Sequence, residues 1–389
     1  MRLIHTSDWH LGRRLKGEDR TPEIAAALDE LLNQAKTLEV DAVLVAGDIY
    51  DVPNPSAEAE QVAYNFFSQL KEAKIPAVMI AGNHDSAFRL DGIAKILSYI
   101  GVKALGRPQK ANKGGVIHLD TPSGKLCVGA MPFASERKLL KYDDLWDKDD
   151  VEQRQHYRFQ VQKLLANLAT NFRDDSVNVV MAHMTIEGVK CAGSEVDFYT
   201  RDSYILPGQM LPPTAQYIAL GHIHKPQQIS NAAPTYYSGS LIQVDFGEAE
   251  EQKGFNLIDV EPSRPAKVEF KPIRIQKPLK VIKCHEGNLE ETLEENREHP
   301  GFLKVIVELN VPKMGLAEMV RKVCPQTLII EPKYPKNEQD KRVELPEDYQ
   351  FDAIEEFRQY YLQHQGVEVP PAVLAAFEEL HQEMSDAIA

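Results

Sequence analysis

Arg2-Leu-Ile-His-Thr-Ser-Asp-Trp-His10 is the stretch on which the reading of this chain turns. Arg2 to Thr6 reads as a short buried strand. It runs out in Asp8-x-His10, a hard oxygen and a borderline nitrogen two residues apart. Side chains at i and i+2 of an extended segment point to one side, so an extended continuation lets both meet one metal ion. The pair is common by chance and gains weight only if other strands end in matching ligands.

Four more do. Asp41 to Ala46 is a short apolar run ending in Gly47-Asp48, and Ala77 to Ala81 is another ending in Gly82-Asn83-His84-Asp85. Thr21-Pro22 reads as an N-cap with proline at the first helical position, ahead of Ile24, Leu28, Leu31, Leu32, Ala35 and Leu38 at helical spacing. Ser56 reads as the cap of a helix carrying Val62, Phe66, Phe67 and Leu70. Strand, helix, strand, helix, strand predicts parallel strands with right-handed crossovers, and such sheets bind ligands at the carboxyl ends of their strands. Later, Val177 to Ala182 ends at His183, and Tyr217 to Leu220 ends in Gly221-His222-Ile223-His224.

The remainder is read more coarsely. Leu11 to Arg20 is a basic loop with Arg13 and Arg14. Residues 86 to 175 are less informative: Val116 to Leu119 and Leu126 to Met131 read as strands, and Lys141 to Arg173 as helical in its second half. Met184 to Gln216 reads as a long loop near the site. Tyr236 to Ser240 and Phe255 to Val260 read as closing strands of a second sheet. Prolines between Pro262 and Pro278 mark a boundary, after which Val281 to Ile330 reads as a small α/β module. Glu331 to Asp348 is a charged linker. Two helices around Pro370-Pro371 follow, one carrying Phe351, Ile354, Phe357 and Tyr361, the other Leu374, Phe377, Leu380 and Met384.

A chain of 389 residues holds two or three domains. Its net charge of −14 argues against coating nucleic acid with the whole surface. The acid is uneven: from Gln276 onward there are 13 Lys+Arg against 22 Asp+Glu, leaving 31 against 36 for the first 275 residues. A local basic groove belongs in the earlier part. Cys127, Cys191, Cys284 and Cys324 form no Cys-x-x-Cys pair, which fits a reducing compartment. With no basic and apolar leader and no apolar run near 18 residues, the expected location is cytoplasmic and not membrane-spanning.

Asp8, His10, Asp48, Asn83, His183, His222 and His224 thus fall at five strand ends. This thiolate-free N/O set suits Mn²⁺, Fe²⁺ or Zn²⁺ at a two-metal site, with Asp48 as the natural bridge. A lone histidine on a strand is usually structural, and His5, His118, His156, His285, His299, His364 and His381 are read that way.

In order and spacing, Asp8-x-His10, Gly47-Asp48, Gly82-Asn83-His84-Asp85, His183 and Gly221-His222-x-His224 resemble the calcineurin-like metallophosphoesterase superfamily. His5 to Gly12, Ala46 to Asp51 with Pro55-Ser56, and Tyr217 to His224 resemble its bacterial DNA-repair nuclease subunits in particular. The resemblance implies a four-layer α/β/β/α sandwich over 1–272, a small α/β capping domain over 273–332, a linker over 333–348 and a partner-docking helical segment over 349–389. It implies one metal on Asp8, His10, Asp48 and His224 and another on Asp48, Asn83, His183 and His222, with Mn²⁺ as the usual activator. His84 is implied as the catalytic histidine beside the scissile phosphate. It also implies a Mn²⁺-dependent DNA exonuclease and endonuclease acting on double-stranded ends, hairpins and single strands in break repair, recombination and replication. The implied partner is a coiled-coil ABC-type ATPase, with a homodimer inside a heterotetramer.

Protein phosphatases of the superfamily carry Gly-Asp-x-x-Asp-Arg-Gly, whereas Asp51 here is followed by Val52-Pro53. Without that arginine a phosphodiester suits the site better than a monoester. Some relatives place histidine where Asp51 stands, which leaves the role of Asp51 open. Arg13, Arg14 and Arg89 are candidate DNA-backbone contacts. There is no Gly-x-x-x-x-Gly-Lys-[Ser/Thr] loop, so ATP dependence must come from a partner. The alternatives are a small-molecule phosphoesterase, which the acidic surface favours, and a non-catalytic scaffold, which a spare His84 disfavours.

Overall fold

The computed structural model describes residues 1–135, 150–191, 205–335, 353–365, 368–371 and 373–378. In chain order the strands of the body are β1 (Arg2–Thr6), the short pair β2 (Arg14–Leu15) and β3 (Glu18–Asp19), β4 (Ala42–Val45), β5 (Ala77–Ile80), β6 (Val102–Leu105), β7 (Val116–Thr121), β8 (Gly124–Met131), β9 (Ser176–His183), β10 (Tyr217–Gly221), β11 (Gln227–Ile229), β12 (Thr235–Tyr237), β13 (Gly254–Asp259) and β14 (Lys267–Pro272). Its helices are α1 (Thr21–Thr37), α2 (Ala57–Glu72), α3 (Ala87–Tyr99) and α4 (Asp150–Ala169).

These strands make two six-stranded sheets, ordered β14-β13-β1-β4-β5-β6 and β11-β12-β10-β9-β8-β7. β1, β4, β5 and β6 are parallel, as the strand–helix alternation requires. So are β8, β9, β10 and β12. Strand periodicity divides the core. In β4, Val43 and Val45 pack with Ile24, Leu28, Phe66 and Phe67 of α1 and α2. Ala42 and Leu44 point the other way and pack with Val128, Val179 and Ala219 of the second sheet. The outer face of that sheet is covered by Val161, Leu165 and Leu168 of α4. The result is helix, sheet, sheet, helix, the four layers expected.

Three local expectations need correction. Thr21 is the first residue of α1 rather than its cap; Arg20 precedes it, and the Asp19 carboxylate accepts the Thr21 N–H at 2.9 Å. Leu11 to Arg20 is not all loop, because β2 and β3 pair within it. Phe255 to Val260 does not close the second sheet: β13 lies in the first, antiparallel to β1. Ser56 caps α2 as read, its Oγ accepting the Ala59 N–H at 3.3 Å.

Beyond the body, β15 (Leu279–His285), α5 (Leu289–Glu295), β16 (Phe302–Glu308), α6 (Leu316–Val323) and β17 (Thr327–Lys333) build a three-stranded parallel sheet. Leu293, Leu303, Val305, Val307 and Val320 form its own core. Leu279 and Phe302 join Leu15 and Phe246 of the body in a smaller apolar cluster. The linker expected over 333–348 lies largely outside the described residues. Of the C-terminal segment, α7 (Ala353–Gln365) and a helical stretch over 373–378 are described, with Phe357 stacked on Phe377 at 4.1 Å between ring centroids. Phe351, Leu380 and Met384 lie outside the described residues.

Candidate metal centre

β1, β4, β5, β9 and β10 all deliver their carboxyl ends to one edge of the sandwich. Backbone bonds lock the turns there: Asp8 N–H donates to Gly47 O at 3.0 Å, and His10 N–H to Asp48 O at 3.1 Å. Asp8 and His10 are not extended, contrary to the expectation. Both sit at φ 52°, Asp48 at 50° and His222 at 98°. Four of the seven predicted ligands thus adopt the left-handed conformation that non-glycine residues avoid, and such strain persists where surrounding structure imposes it. Gly47 is equally constrained. A Cβ there would lie 2.3 Å from His183 Nδ1, and one at Gly82 would lie 2.1 Å from Asp48 Oδ1.

The side chains gather in three overlapping groups: Asp8, His10 and His224; His10, Asp48 and His84; and Asp48, His183 and His222. Within each, the ligand atoms lie within 4.8 Å of one another. His10 Nε2 and His224 Nε2 face each other at 3.0 Å. Asp48 Oδ2 stands 3.9 Å from His10 Nε2 and 3.4 Å from His183 Nε2, so it reaches both sides. Asn83 Oδ1 meets His183 Nε2 at 2.9 Å and His222 Nδ1 at 2.8 Å. All seven predicted ligands and His84 are therefore brought together.

The donor set fits divalent cations. Buried carboxylates and imidazoles converge with the half-buried Asn83 amide, with no thiolate in the described groups. Burial alone would push the His183 imidazole down and the Asp48 carboxyl up. Their attraction overcomes it: Asp48 is held well below the usual carboxylate range and His183 is raised to about 9. A field that retains a proton on a buried imidazole also favours a cation.

Around this set stand residues that the motifs alone give no role. The Asp51 carboxylate lies 3.2 Å from His10 Nδ1 and 3.3 Å from Arg13 Nη1. Its backbone carbonyl accepts from His84 Nδ1 at 2.8 Å. Asp85 accepts the backbone N–H groups of Ile49, Tyr50 and Gly82 at 3.2, 3.0 and 2.8 Å, tying the β4 turn to the β5 turn. Burial, and then the Asp48 charge, raise Asp85 to about 6. Behind His224, Glu248 Oε1 meets Nδ1 at 3.0 Å, and Lys253 Nζ lies 2.7 Å from Glu248. Arg13 is half-buried against Asp51, and the exposed Arg14 bonds Gly17 O. Arg89 pairs with Glu60 at 2.6 Å.

Residues 1–226 match the calcineurin-like phosphoesterase family, the class that this fold and site define. Residues 275–365 match the type 5 capsule protein repressor C-terminal domain. The chain is 32% identical over 379 residues to the D subunit of nuclease SbcCD from Bacillus subtilis, covering 95% of each protein. It is 31% identical over 304 residues to the D subunit of nuclease SbcCD from Escherichia coli K12, covering 77% of this chain and 74% of that protein. It belongs to the calcineurin-like phosphoesterase family and, within it, to the family of the SbcCD D subunits. A dimetal phosphatase from Danio rerio is similar in structure at TM-score 0.44 and 12% identity, covering 70% of this chain and 96% of that one.

Proposed function

We propose that the chain is a two-metal DNA phosphodiesterase, cutting as exonuclease and endonuclease at double-stranded ends, hairpins and single strands. The observation that carries this is Asp48, placed between two imidazole-rich groups so that one carboxylate serves both. Asp8, His10, Asp48 and His224 would hold one ion, and Asp48, Asn83, His183 and His222 the other. Mn²⁺ is the proposed metal. Two such ions, when bound, supply the positive charge that a phosphodiester needs and an activated water at neutral pH.

The chain's own groups do the rest. His84 is half-buried and has its Nδ1 on the Asp51 carbonyl, which leaves Nε2 as the ring atom for a substrate. Its backbone N–H donates to Asp48 Oδ1 at 2.9 Å, which ties the ring to the bridging carboxylate. Protonated, it would donate to the leaving oxygen. Asp85 holds the two turns that carry Asp48 and His84 in register.

The proposed organisation is a nuclease domain over 1–272, a capping domain over 273–332, a linker over 333–348 and a docking segment over 349–389. The segment's partner would be an SbcC-type ABC ATPase. Its exposed Tyr360, Leu362 and Val373 support a docking role. The assembly would be a homodimer within a cytoplasmic heterotetramer for DNA break repair. No helix among the described residues is long and apolar enough to cross a membrane. The test is cleavage of hairpin and blunt-ended DNA with Mn²⁺, with and without ATPase and ATP. Cleavage that His84→Gln lowers by roughly 10²–10⁴-fold with both ions retained is expected; wild-type protein that binds two ions and cuts no DNA would overturn the proposal.

A further inference from the structure

The imidazoles of the Asp8 position are each backed by a carboxylate, and each carboxylate by a cation. His224 Nδ1 meets Glu248 Oε1 at 3.0 Å, which leaves its Nε2 to face His10. Glu248 is fully buried, and so is Lys253, 2.7 Å away. The other oxygen, Oε2, also accepts the Val244 N–H at 3.1 Å and the Ser240 hydroxyl at 3.3 Å. Lys253 Nζ also donates to His224 O and to Glu251, each at 2.8 Å. His10 has a looser counterpart: its Nδ1 lies 3.2 Å from Asp51, a charge contact without hydrogen-bond geometry, and Arg13 braces Asp51 at 3.3 Å. By contrast His183 sets its Nδ1 on a backbone carbonyl, Ala46 O, at 2.8 Å.

A buried Glu–Lys pair is a poor source of stability, because desolvating two charges offsets their attraction. What it does provide is direction. With Nδ1 occupied by a fixed carboxylate, His224 can turn only Nε2 to the site, and the carboxylate raises the basicity of that atom.

We propose that Glu248, fixed by Lys253, Ser240 and the Val244 amide, is a positioning residue that sets how tightly the Asp8–His10–Asp48–His224 position retains its cation, and that Asp51 with Arg13 does the same through His10. This rests on the two-metal reading above. The role is distinct from ligation, since neither Glu248 nor Asp51 belongs to the ligand groups.

The test is Mn²⁺ binding to the metal-stripped full chain, followed by calorimetry and electron paramagnetic resonance. Glu248→Gln is expected to weaken one of two Mn²⁺ positions by roughly 10–100-fold and leave the other unchanged. In a His183→Ala background, where the second position is crippled, the loss should persist. In a His224→Ala background the substitution should change nothing further, which a merely structural role would not produce. Wild-type affinity at both positions, equal loss at both, or additivity with His224→Ala would overturn the proposal. If Glu248→Gln does not fold, Asp51→Asn puts the same question to His10, with His10→Ala in place of His224→Ala and otherwise the same outcomes. Wild-type protein that binds no Mn²⁺ would instead remove the two-metal reading, and this inference with it.

Discussion

Two regions of this protein end parallel strands in ligand-type residues, the small module and the body, and among the described residues only the body, with both of its sheets, gathers them into one cluster. In the small module, β15 and β16 end in His285 and Glu308. Both are exposed, and His285 is spent on local structure, its Nδ1 accepting the Gly287 N–H at 3.1 Å. In the body, Asp8, His10, Asp48, His183, His222 and His224 are nearly inaccessible, and four of them sit at positive φ. Residue type at a strand end is therefore not what makes a centre. Burial makes it, together with turns that hold acceptors and imidazoles facing one another.

The largest test of that contrast is Asp48→Asn. It removes charge from both positions at once, so Mn²⁺ binding and DNA cleavage should fall to background. His285→Ala should leave both unchanged and cost only the local cap, about 1 kcal/mol in a melt. Next, His84→Gln should lower the cleavage rate by roughly 10²–10⁴-fold with both ions retained, as expected for loss of general acid–base assistance. A variant that also lost its ions would make His84 a ligand, which its grouping with His10 and Asp48 leaves open to experiment.

A smaller effect separates the two cores. Leu303 is fully buried in the module. Leu303→Ala should cost about 2–5 kcal/mol, read in denaturant, while leaving Mn²⁺ affinity unchanged. A parallel loss of metal would mean that module and centre are coupled.

A further effect is a pH slope. His5 is buried beside Tyr217, whose hydroxyl lies 2.8 Å from Nδ1. Burial holds it down to about 3, from an ordinary 6.5. Between those values the unfolded chain takes up a proton that the fold refuses. Its contribution to stability therefore rises with pH through that window, by up to roughly 1.4 kcal/mol per unit, and is lost as acid is added. His5→Gln should flatten that part of the acid-unfolding curve of metal-stripped protein; an unchanged slope would assign it elsewhere.

Much of this was legible in the sequence because short apolar runs ending in polar residues mark parallel strands. Other parts left no such signal. α3 carries no such signal because its apolar residues do not share a face: Ala87, Leu90 and Leu97 are buried, while Phe88, Ile96 and Tyr99 are exposed. The sheet holding β13 could not be read from Phe255 to Val260, since its partner β1 lies some 250 residues away and periodicity names no partner. Nothing in Asp-Trp-His announces a left-handed turn, so an extended reading of Asp8 and His10 reaches the same cluster by a geometry the backbone does not have. Glu248 sits in the acidic run Glu248-Ala249-Glu250-Glu251, which carries no motif. Only the fold brings it behind His224.

The central claim is that one carboxylate, Asp48, joins two ion positions built from five strand ends. Electron paramagnetic resonance of the full chain loaded with Mn²⁺ tests it most directly. Two ions sharing a carboxylate lie about 3.5–4 Å apart and give an exchange-coupled spectrum at two Mn²⁺ per chain, which Asp48→Asn should abolish. A single uncoupled Mn²⁺ per chain, or two ions without coupling, would contradict the account.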